Sequence, residues 1–360
     1  MKYLDEYRDP EVARALVERI HAASRRPVRL MEVCGTHTVA IFRNGIRRLL
    51  PPTITLISGP GCPVCVTATT EIDQAIKLAS YECTVTTFGD LIRVPGSRTS
   101  LGQEKAAGAD VRIVYSSFEA LKLAQADPGR QVVFLAVGFE TTAPTIAATL
   151  KEAKRLGVKN YSIFCAHKIV PPAVAALLGS GELRIDGFIM PGHVTSIIGT
   201  EPYEAVAKAY GTPCVVCGFE PLDILQTILR LVELIEAGEP GVEIQYRRGV
   251  VPQGNPKALE VMWEVFEPAA TEWRGLGVIP GSGLALREPY REFDAALRFD
   301  LTMPRAADPK GCACGEVLRG VKTPPECPLF RKRCHPRNPV GPCMVSTEGT
   351  CAAYYKYSDQ

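Results

Sequence analysis

A strand that leads into a thiol-bearing loop is encoded by Val28-Arg-Leu-Met-Glu-Val33 and the following residues, Cys34-Gly-Thr-His-Thr38. The first six residues are mostly apolar, which is typical of a strand buried on both faces. The apolar spacing from Val39 to Leu50 predicts a helix directly after the loop. A thiol, an imidazole and two hydroxyls are therefore expected at the carboxyl end of a strand, where open parallel sheets bind their ligands.

The same order of strand, loop and helix continues along the chain. Short apolar and β-branched runs predict a first series of strands at Val28–Val33, Thr53–Ile57, Cys83–Thr87, Val111–Tyr115 and Val132–Val137. A second series is predicted at Tyr161–Cys165, Gly187–Met190 and Cys214–Val216. Because helical spacing separates these strands, the fold class is α/β, with two parallel-sheet domains and a smaller cysteine-rich domain.

The domain boundaries are placed where the sequence pattern changes. Residues 26–156 form the predicted α/β domain I, and residues 157–246 form α/β domain II. Residues 1–25 and 247–360 form the third domain, whose last fifty residues contain six cysteines and little periodicity. Such a segment cannot bury enough apolar surface to order itself, so a metal centre is its expected core.

Composition argues against several classes of function. The net charge of +2 gives no electrostatic case for a nucleic-acid partner. No apolar run reaches about 18 residues and the N-terminus lacks an apolar signal core, so we expect a cytoplasmic protein without a membrane segment. In that reducing compartment the thirteen cysteines are expected to be metal ligands or redox thiols before structural disulfides.

Polar and reactive side chains follow the predicted strands at seven places. Besides the Cys34 loop, these groups contain Cys62, Cys65, Asp90, Arg93, Glu140, His167, Lys168, His193 and Glu220. Ordinary turn chemistry explains one such loop, whereas seven of them favour a shared site. Helix N-termini also point to this edge, which favours an anionic ligand. For His37 and His193 a structural role and a role in the site both remain open.

Two C-x-x-C spacings differ in their expected structure. Cys62-Pro-Val-Cys65 lies in a glycine- and proline-rich turn, where the two sulfurs can form a reversible disulfide or half of a zinc site. Cys214-Val-Val-Cys217 lies in a predicted strand, where residues i and i+3 face opposite sides of the sheet. We therefore predict a redox pair at the first motif and core cysteines at the second.

The C-terminal segment carries the candidates for a metal centre. They are Cys312, Cys314, Cys327, Cys334, Cys343 and Cys351. Four of the six would suffice for a [4Fe–4S] cluster, and tetrahedral zinc is the chemical alternative. The segment lacks the paired C-x-x-C knuckles of zinc sites, which favours the cluster.

Together these motifs resemble the HypD family of hydrogenase maturation factors over nearly the whole chain. The resemblance rests on the Cys34 loop, Gly59-Pro-Gly-Cys-Pro-Val-Cys65, Thr87-Phe-Gly-Asp90, Arg93-Val-Pro-Gly96, Gly138-Phe-Glu-Thr-Thr142, Pro191-Gly-His-Val194 and the C-terminal cysteines. It implies two α/β domains and a third domain that holds a [4Fe–4S] cluster. The family's cysteine spacing selects Cys312, Cys327, Cys334 and Cys351. It leaves Cys314 and Cys343 unassigned, and either of them replaces one of the four if the register of the spacing differs.

The resemblance also implies a function, which is assembly of the Fe(CN)₂CO group of [NiFe]-hydrogenases. The implied partners are a small chaperone, HypC, and a cyanide donor, HypE. Cys34 would hold Fe(II) carrying CN and CO as transient cargo, which suits a soft thiolate ligand. The expected polar cradle consists of His37, Asp90, Arg93, Glu140 and His193. The cluster and the Cys62–Cys65 pair would relay electrons.

Two other functions remain open from the residues. One is a [4Fe–4S]-dependent protein disulfide reductase, which a cluster close to Cys62–Cys65 and turnover of a disulfide would favour. The other is a zinc-stabilised binding module without redox chemistry, which would be colourless instead of brown. For an assembly factor, no turnover of the kind typical of enzymes is expected.

Overall fold

The strands carry the architecture of the computed structural model, which describes residues 5–358. In chain order they are β1 (Val28–Glu32), β2 (Ile54–Ser58), β3 (Cys83–Thr87), β4 (Val111–Ile113), β5 (Gln131–Ala136), β6 (Tyr161–Cys165), β7 (Gly187–Pro191), β8 (Cys214–Cys217), β9 (Val242–Ile244), β10 (Phe266–Trp273) and β11 (Gly277–Leu286).

Helices alternate with these strands and continue into the C-terminal segment. The α-helices are α1 (Pro10–Ala23), α2 (Gly35–Arg43), α3 (Ile46–Leu49), α4 (Pro63–Val66), α5 (Thr69–Lys77), α6 (Leu101–Ala106), α7 (Ser117–Ala126), α8 (Ala143–Arg155), α9 (Val170–Ser180), α10 (Gly192–Ile198), α11 (Glu201–Tyr210), α12 (Pro221–Ala237), α13 (Pro256–Val265), α14 (Ala295–Arg298), α15 (Cys314–Leu318), α16 (Pro342–Val345) and α17 (Thr350–Tyr357). Short 3₁₀ helices lie at Asp5–Tyr7, Leu78–Ser80, Leu91–Arg93, Glu288–Phe293 and Pro324–Glu326.

Two parallel sheets and one antiparallel hairpin organise the strands. The first sheet has the order β2-β1-β7-β8-β9, the second has the order β4-β3-β5-β6, and β10 pairs with β11. All neighbours within the two larger sheets are parallel. The predicted α/β class with parallel sheets is therefore confirmed.

The sheets divide the chain differently from the residue ranges that we assigned to domains. Leu30 of β1 lies opposite Gly187 of β7, so the first sheet combines strands from both predicted α/β ranges. Ala136 of β5 lies opposite Cys165 of β6, so the second sheet crosses the proposed boundary at residues 156 and 157. The second sheet is thus an insertion into the first, because all four of its strands lie between β2 and β7 along the chain. The sequence pattern does not reveal this, since it does not show which strands pair.

Glycines account for two local differences from the expected elements. The helix predicted over Val39–Leu50 begins earlier, at Gly35, and is interrupted at Gly45, which has a φ of +63°. Thr36, His37 and Thr38 therefore lie in the first turn of α2 and not in a loop. No strand was predicted after Val216, yet β10 and β11 form a hairpin there, with Gly275 in its turn and Gly277 at the start of β11 at φ values of +79° and +78°.

The prediction for Cys214 and Cys217 is confirmed. Both residues lie in β8 and are buried. Cys214 packs in the same apolar cluster as Met190 and Tyr203, whereas Cys217 packs with Leu222 in another cluster. The two sulfurs therefore belong to different faces of the sheet. Across the described part of the chain, no helix combines the length and apolar character needed to cross a bilayer.

Candidate functional site

Cys34 is the N-cap residue of α2, at the carboxyl end of β1. The backbone N–H groups of Thr36 and His37, at the start of the helix, act to lower the pKa of its thiol, although no cap hydrogen bond reaches the sulfur. Gly61 contacts Cys34 so closely that a Cβ on this glycine would lie 2.1 Å from the Cys34 nitrogen. Burial, followed by the nearby Glu348 carboxylate, raises the pKa of the Cys34 thiol to about 12. Without a metal, Cys34 is therefore a protonated thiol at neutral pH.

His37 is a neutral imidazole with one open acceptor. Its Nε2 lies 2.9 Å from the Gly218 carbonyl oxygen, so Nε2 carries the hydrogen and donates it. Its buried Nδ1 has no hydrogen-bond partner within residues 5–358. Burial lowers the pKa of His37 to about 4, which keeps the ring neutral at pH 7.

Phe219 connects the two histidines of the predicted cradle. The His37 ring stacks on Phe219 with centroids 4.9 Å apart, and the His193 ring stacks on it at 3.8 Å. Both interplanar angles are 22°. The sequence reasoning placed Gly218-Phe-Glu-Pro221 at a strand end but considered only its carboxylate, so Phe219 was missed.

Glu348 is a second residue that the sequence reasoning missed. Its Oε1 accepts a hydrogen bond of 2.6 Å from the Thr36 hydroxyl. The Glu348 carboxylate raises the pKa of Cys34, and it acts against burial, which lowers the pKa of His193. Glu348 therefore lies beside three residues of the site. No motif signalled it, because it comes from the distant C-terminal segment.

A buried acid lies beneath the Cys34 loop. Oε1 of Glu32 accepts a hydrogen bond of 2.7 Å from Thr38, and its Oε2 has no partner in the described structure. Burial raises the pKa of Glu32 to about 8, so this side chain is mostly protonated at pH 7. The Arg47 guanidinium behind it packs over the rings of Phe42 and Tyr354.

Glu140 reaches the same region from the second sheet. Its Oε1 accepts a hydrogen bond of 2.9 Å from the Val170 nitrogen, and its buried Oε2 has no partner among the described residues. Burial raises the pKa of Glu140 to about 7. After burial itself, Glu140 and Cys34 are both among the causes that raise the pKa of Tyr203, so the two sheets approach each other here.

Asp90 and Arg93 lie at the rim. The Arg93 guanidinium donates to the Pro336 carbonyl oxygen, and this residue lines a cavity of about 650 Å³ together with Thr36 and Glu348. Asp90 comes directly before the 3₁₀ helix that carries Arg93. In the part of the chain that the structure describes, no hydrogen bond joins the Asp90 side chain to the Cys34 loop.

The Cys62–Cys65 motif brings its two thiols into contact. Cys62 is the N-cap residue of α4, and the Cys65 thiol donates to the Cys62 sulfur across 2.6 Å. Both residues are buried and free of disulfides. The Cys65 side chain packs in the same cluster as Cys343 of α16, close enough for the Cys343 thiol to raise the pKa of Cys65 further. Burial is the first cause that raises the pKa of Cys65 well above its ordinary value.

The C-terminal cysteines gather around this contact. The Cys343 side chain packs in one cluster with Cys65, Cys314 and Cys351, and the sulfurs of Cys312 and Cys314 both lie beside Gly341. Cys334 lies close enough to Cys312 and Cys327 that, after burial, both thiols contribute to raising its pKa. The donor set therefore fits a metal–sulfur centre in its chemistry. Within residues 5–358, however, no group of three or more donors already has a geometry that would hold a single metal ion.

Comparison with known proteins gives the family. A family model described as the hydrogenase formation hypA family, HypD, matches residues 11–358. The chain belongs to the HypD family. It is 50% identical to the hydrogenase maturation factor HypD of Azotobacter vinelandii over 370 residues, which cover 100% of this chain and 98% of the relative.

Other members are similar over equally long alignments. Identity is 47% to the hydrogenase maturation factor HypD of Escherichia coli, with 100% of this chain and 99% of the relative covered. It is 48% to the factor of that name from Cupriavidus necator, with 99% and 97% covered. The resemblance to the HypD family is therefore confirmed over the whole chain.

Proposed function

We propose that this chain acts in hydrogenase maturation as the scaffold on which the Fe(CN)₂CO group is assembled. Membership of the HypD family supports the general role. The observation that carries the specific role is the position of Cys34, a buried thiol at the carboxyl edge of a parallel sheet, with two imidazoles and a carboxylate around it. Such a site suits a single metal ion that binds well to a thiolate.

Fe(II) is the proposed cargo, and Cys34 is its proposed protein ligand. A thiol whose pKa is raised to about 12 must lose its proton when the metal binds, so iron loading releases one proton. The N–H groups of Thr36 and His37 then stabilise the thiolate. The proposed partners are a small chaperone of the HypC type, which supplies a further ligand, and a cyanide donor of the HypE type.

The residues of the proposed cradle differ in whether they can donate or accept a hydrogen bond. Cyanide nitrogens accept hydrogen bonds, which suits Arg93 at the cavity and a protonated Glu140. His37 offers a lone pair on Nδ1, so it suits contact with a proton donor or with the metal. His193, on the same phenyl ring, and Asp90, at the rim, complete the proposed set.

Cys312, Cys327, Cys334 and Cys351 would hold a [4Fe–4S] cluster, which supplies single electrons when it is bound. The Cys62–Cys65 pair beside them can cycle between dithiol and disulfide, and each oxidation releases two electrons and two protons. The contact between Cys65 and Cys343 supports a redox role for this pair, because it joins the dithiol to the C-terminal sulfurs.

Hydrogenase activity tests the scaffold role in cells that lack their own member of the family. Supplying the Cys34→Ala variant should leave hydrogenase immature. The control variant Cys83→Ala removes a buried thiol that donates a hydrogen bond to the Leu78 carbonyl oxygen, and it should restore activity. Mature hydrogenase with Cys34→Ala would refute the proposal.

A protein disulfide reductase is the second candidate, and the contact of Cys65 with Cys343 favours it. The two functions differ in their need for Cys34. A reductase would reduce a protein disulfide at an unchanged rate after Cys34→Ala and lose that activity after Cys62→Ser. A scaffold would lose maturation after either substitution.

A further inference from the structure

Phe219 lies at the centre of the site, yet it has no group that can take part in acid–base or metal chemistry. It lies in the three-residue connection between β8 and the long helix α12. Its ring is the surface on which both His37 and His193 stack, at centroid distances of 4.9 and 3.8 Å. The two imidazoles, which can bind a metal or a proton, therefore both rest on a phenyl ring that can do neither.

His193 depends on this contact more strongly than His37. The His37 ring is also fixed by its bond to the Gly218 carbonyl oxygen. The His193 ring is partly exposed and makes no hydrogen bond with residues 5–358, so within that range its stack on Phe219 is the contact that orients it. The backbone beneath it is tightly held, since a Cβ on Gly192 would lie 2.6 Å from the Cys217 carbonyl oxygen.

Phe219 is itself supported by a third aromatic ring, that of Tyr246. The Tyr246 ring meets it edge-on, with centroids 5.7 Å apart and an angle of 79°. Tyr246 is confined by Gly218 and Gly249, where an added Cβ would lie 2.7 and 2.4 Å from the ring. The Arg248 guanidinium covers Tyr246 at 4.7 Å and pairs with the buried Asp223 carboxylate. The support is rigid, as a preorganised site requires.

We propose that Phe219 is a positioning residue, whose flat ring sets the orientation of the His37 and His193 imidazoles at the Cys34 site. The stacking geometry stands on its own, whereas the role of the imidazoles at the iron rests on the proposed function. A leucine would preserve the apolar contact but would not offer a flat face to either imidazole. Because a displacement of about 1 Å can cost about 100-fold in rate, losing this face should impair the site without unfolding the chain.

Histidine resonances test the stack directly, because the chain has only five histidines. In the full-length protein labelled with [¹³C]histidine, the ring protons of His37 and His193 should lie upfield of those of His21 and His335, owing to the phenyl ring current. Phe219→Leu should move the first two resonances downfield and leave the other two unchanged. Phe219→Tyr should keep the wild-type positions.

Control variants separate this effect from a loss of fold. Phe299→Leu removes another partly buried ring, which packs against Tyr81 and is not near the histidines of the site. It should leave the His37 and His193 resonances in place. If Phe219→Leu does not fold, Phe219→Met gives the same test with a longer apolar side chain. Unchanged His37 and His193 resonances in the folded variant would overturn the proposal.

Hydrogenase maturation gives the functional readout. Phe219→Leu should lower the yield of active hydrogenase at least tenfold, and Phe219→Tyr should restore it. Displaced resonances with an unchanged yield would also overturn the positioning role. The NMR measurement needs neither iron nor a partner, so a failure of the Cys34 scaffold would leave its result intact, and the two failures can be told apart.

Discussion

The Thr36 hydroxyl donates a hydrogen bond of 2.6 Å to the Glu348 carboxylate, across 312 positions of sequence. The Glu348 backbone also lies against the loop, because a Cβ on Gly35 would be 2.5 Å from its carbonyl oxygen. The segment that carries Glu348 runs from Cys343 of α16 to Cys351 of α17. One short segment therefore covers Cys34 and is anchored at both ends among the C-terminal sulfurs.

Removing the Glu348 carboxylate should expose Cys34. A hydrogen bond to a charged group contributes about 1.5–3 kcal/mol, so Glu348→Ala should increase alkylation of Cys34 by iodoacetamide about tenfold or more. Loss of the negative charge acts in the same direction, because Glu348 raises the pKa of this thiol. Mass spectrometry of the Cys34 peptide measures the rate.

Glu292→Ala is the matched control for this experiment. It removes a carboxylate that pairs with Lys159 at an exposed position, and it should leave the labelling rate of Cys34 unchanged. Equal rates in Glu348→Ala and Glu292→Ala would show that Glu348 does not cover the site.

Gly61 should tolerate no side chain. A Cβ there would lie 2.1 Å from the Cys34 nitrogen, whereas a Cβ on Gly89 would have its nearest neighbour at 3.9 Å. Overpacking of this kind costs about 1–3 kcal/mol, so Gly61→Ala should lower the free energy of unfolding by that amount, and Gly89→Ala should change it little. Urea unfolding of both variants measures the difference. Similar values for the two would contradict the close approach of Gly61 to Cys34.

Because of Glu140, the free energy of unfolding should be larger in mildly acidic solution than above pH 7. Burial raises the folded-state pKa of Glu140 from 4.5 to about 7, so the folded protein binds more protons than the unfolded chain between these values. The stabilising contribution is fully present below pH 4.5 and is lost as the pH rises through 7. Its size is about 3 kcal/mol, at about 1.4 kcal/mol per pKa unit.

Glu140→Gln should abolish this component of the pH dependence. Urea unfolding at pH 5 and pH 8 should show a smaller decrease in the free energy of unfolding for the variant than for the wild type. The same decrease in both proteins would mean that Glu140 titrates near its ordinary pKa. Glu32, whose pKa is raised to about 8, contributes equally to both proteins and cancels in the comparison.

Mild oxidation should distinguish the two C-x-x-C spacings. A thiol oxidant should join Cys62 to Cys65, whose sulfurs lie 2.6 Å apart, and leave Cys214 and Cys217 as thiols, because these face opposite sides of β8. Mass spectrometry of non-reduced peptides measures the loss of two hydrogens at each pair. A disulfide at Cys214–Cys217, or none at Cys62–Cys65, would contradict the structure.

Local patterns predicted most strands because a doubly buried strand leaves a continuous apolar run, as in β5. The same patterns could not give strand order, since the pairing of Leu30 with Gly187 depends on edges that only the folded chain brings together. Phe219 and Glu348 escaped the sequence reasoning for a related reason. A phenylalanine after a strand is ordinary core material, and a lone glutamate in an irregular segment has no periodicity.

In the proposed function, Cys34 holds the iron that receives the CO and cyanide ligands. An infrared spectrum of the chain, purified with its HypC-type partner in the absence of oxygen, tests it most directly. We expect one band of metal-bound CO and two of metal-bound cyanide in the wild type and in Cys83→Ala, and none in Cys34→Ala. Bands that persist in Cys34→Ala would contradict it, and so would an iron-loaded wild-type complex without them.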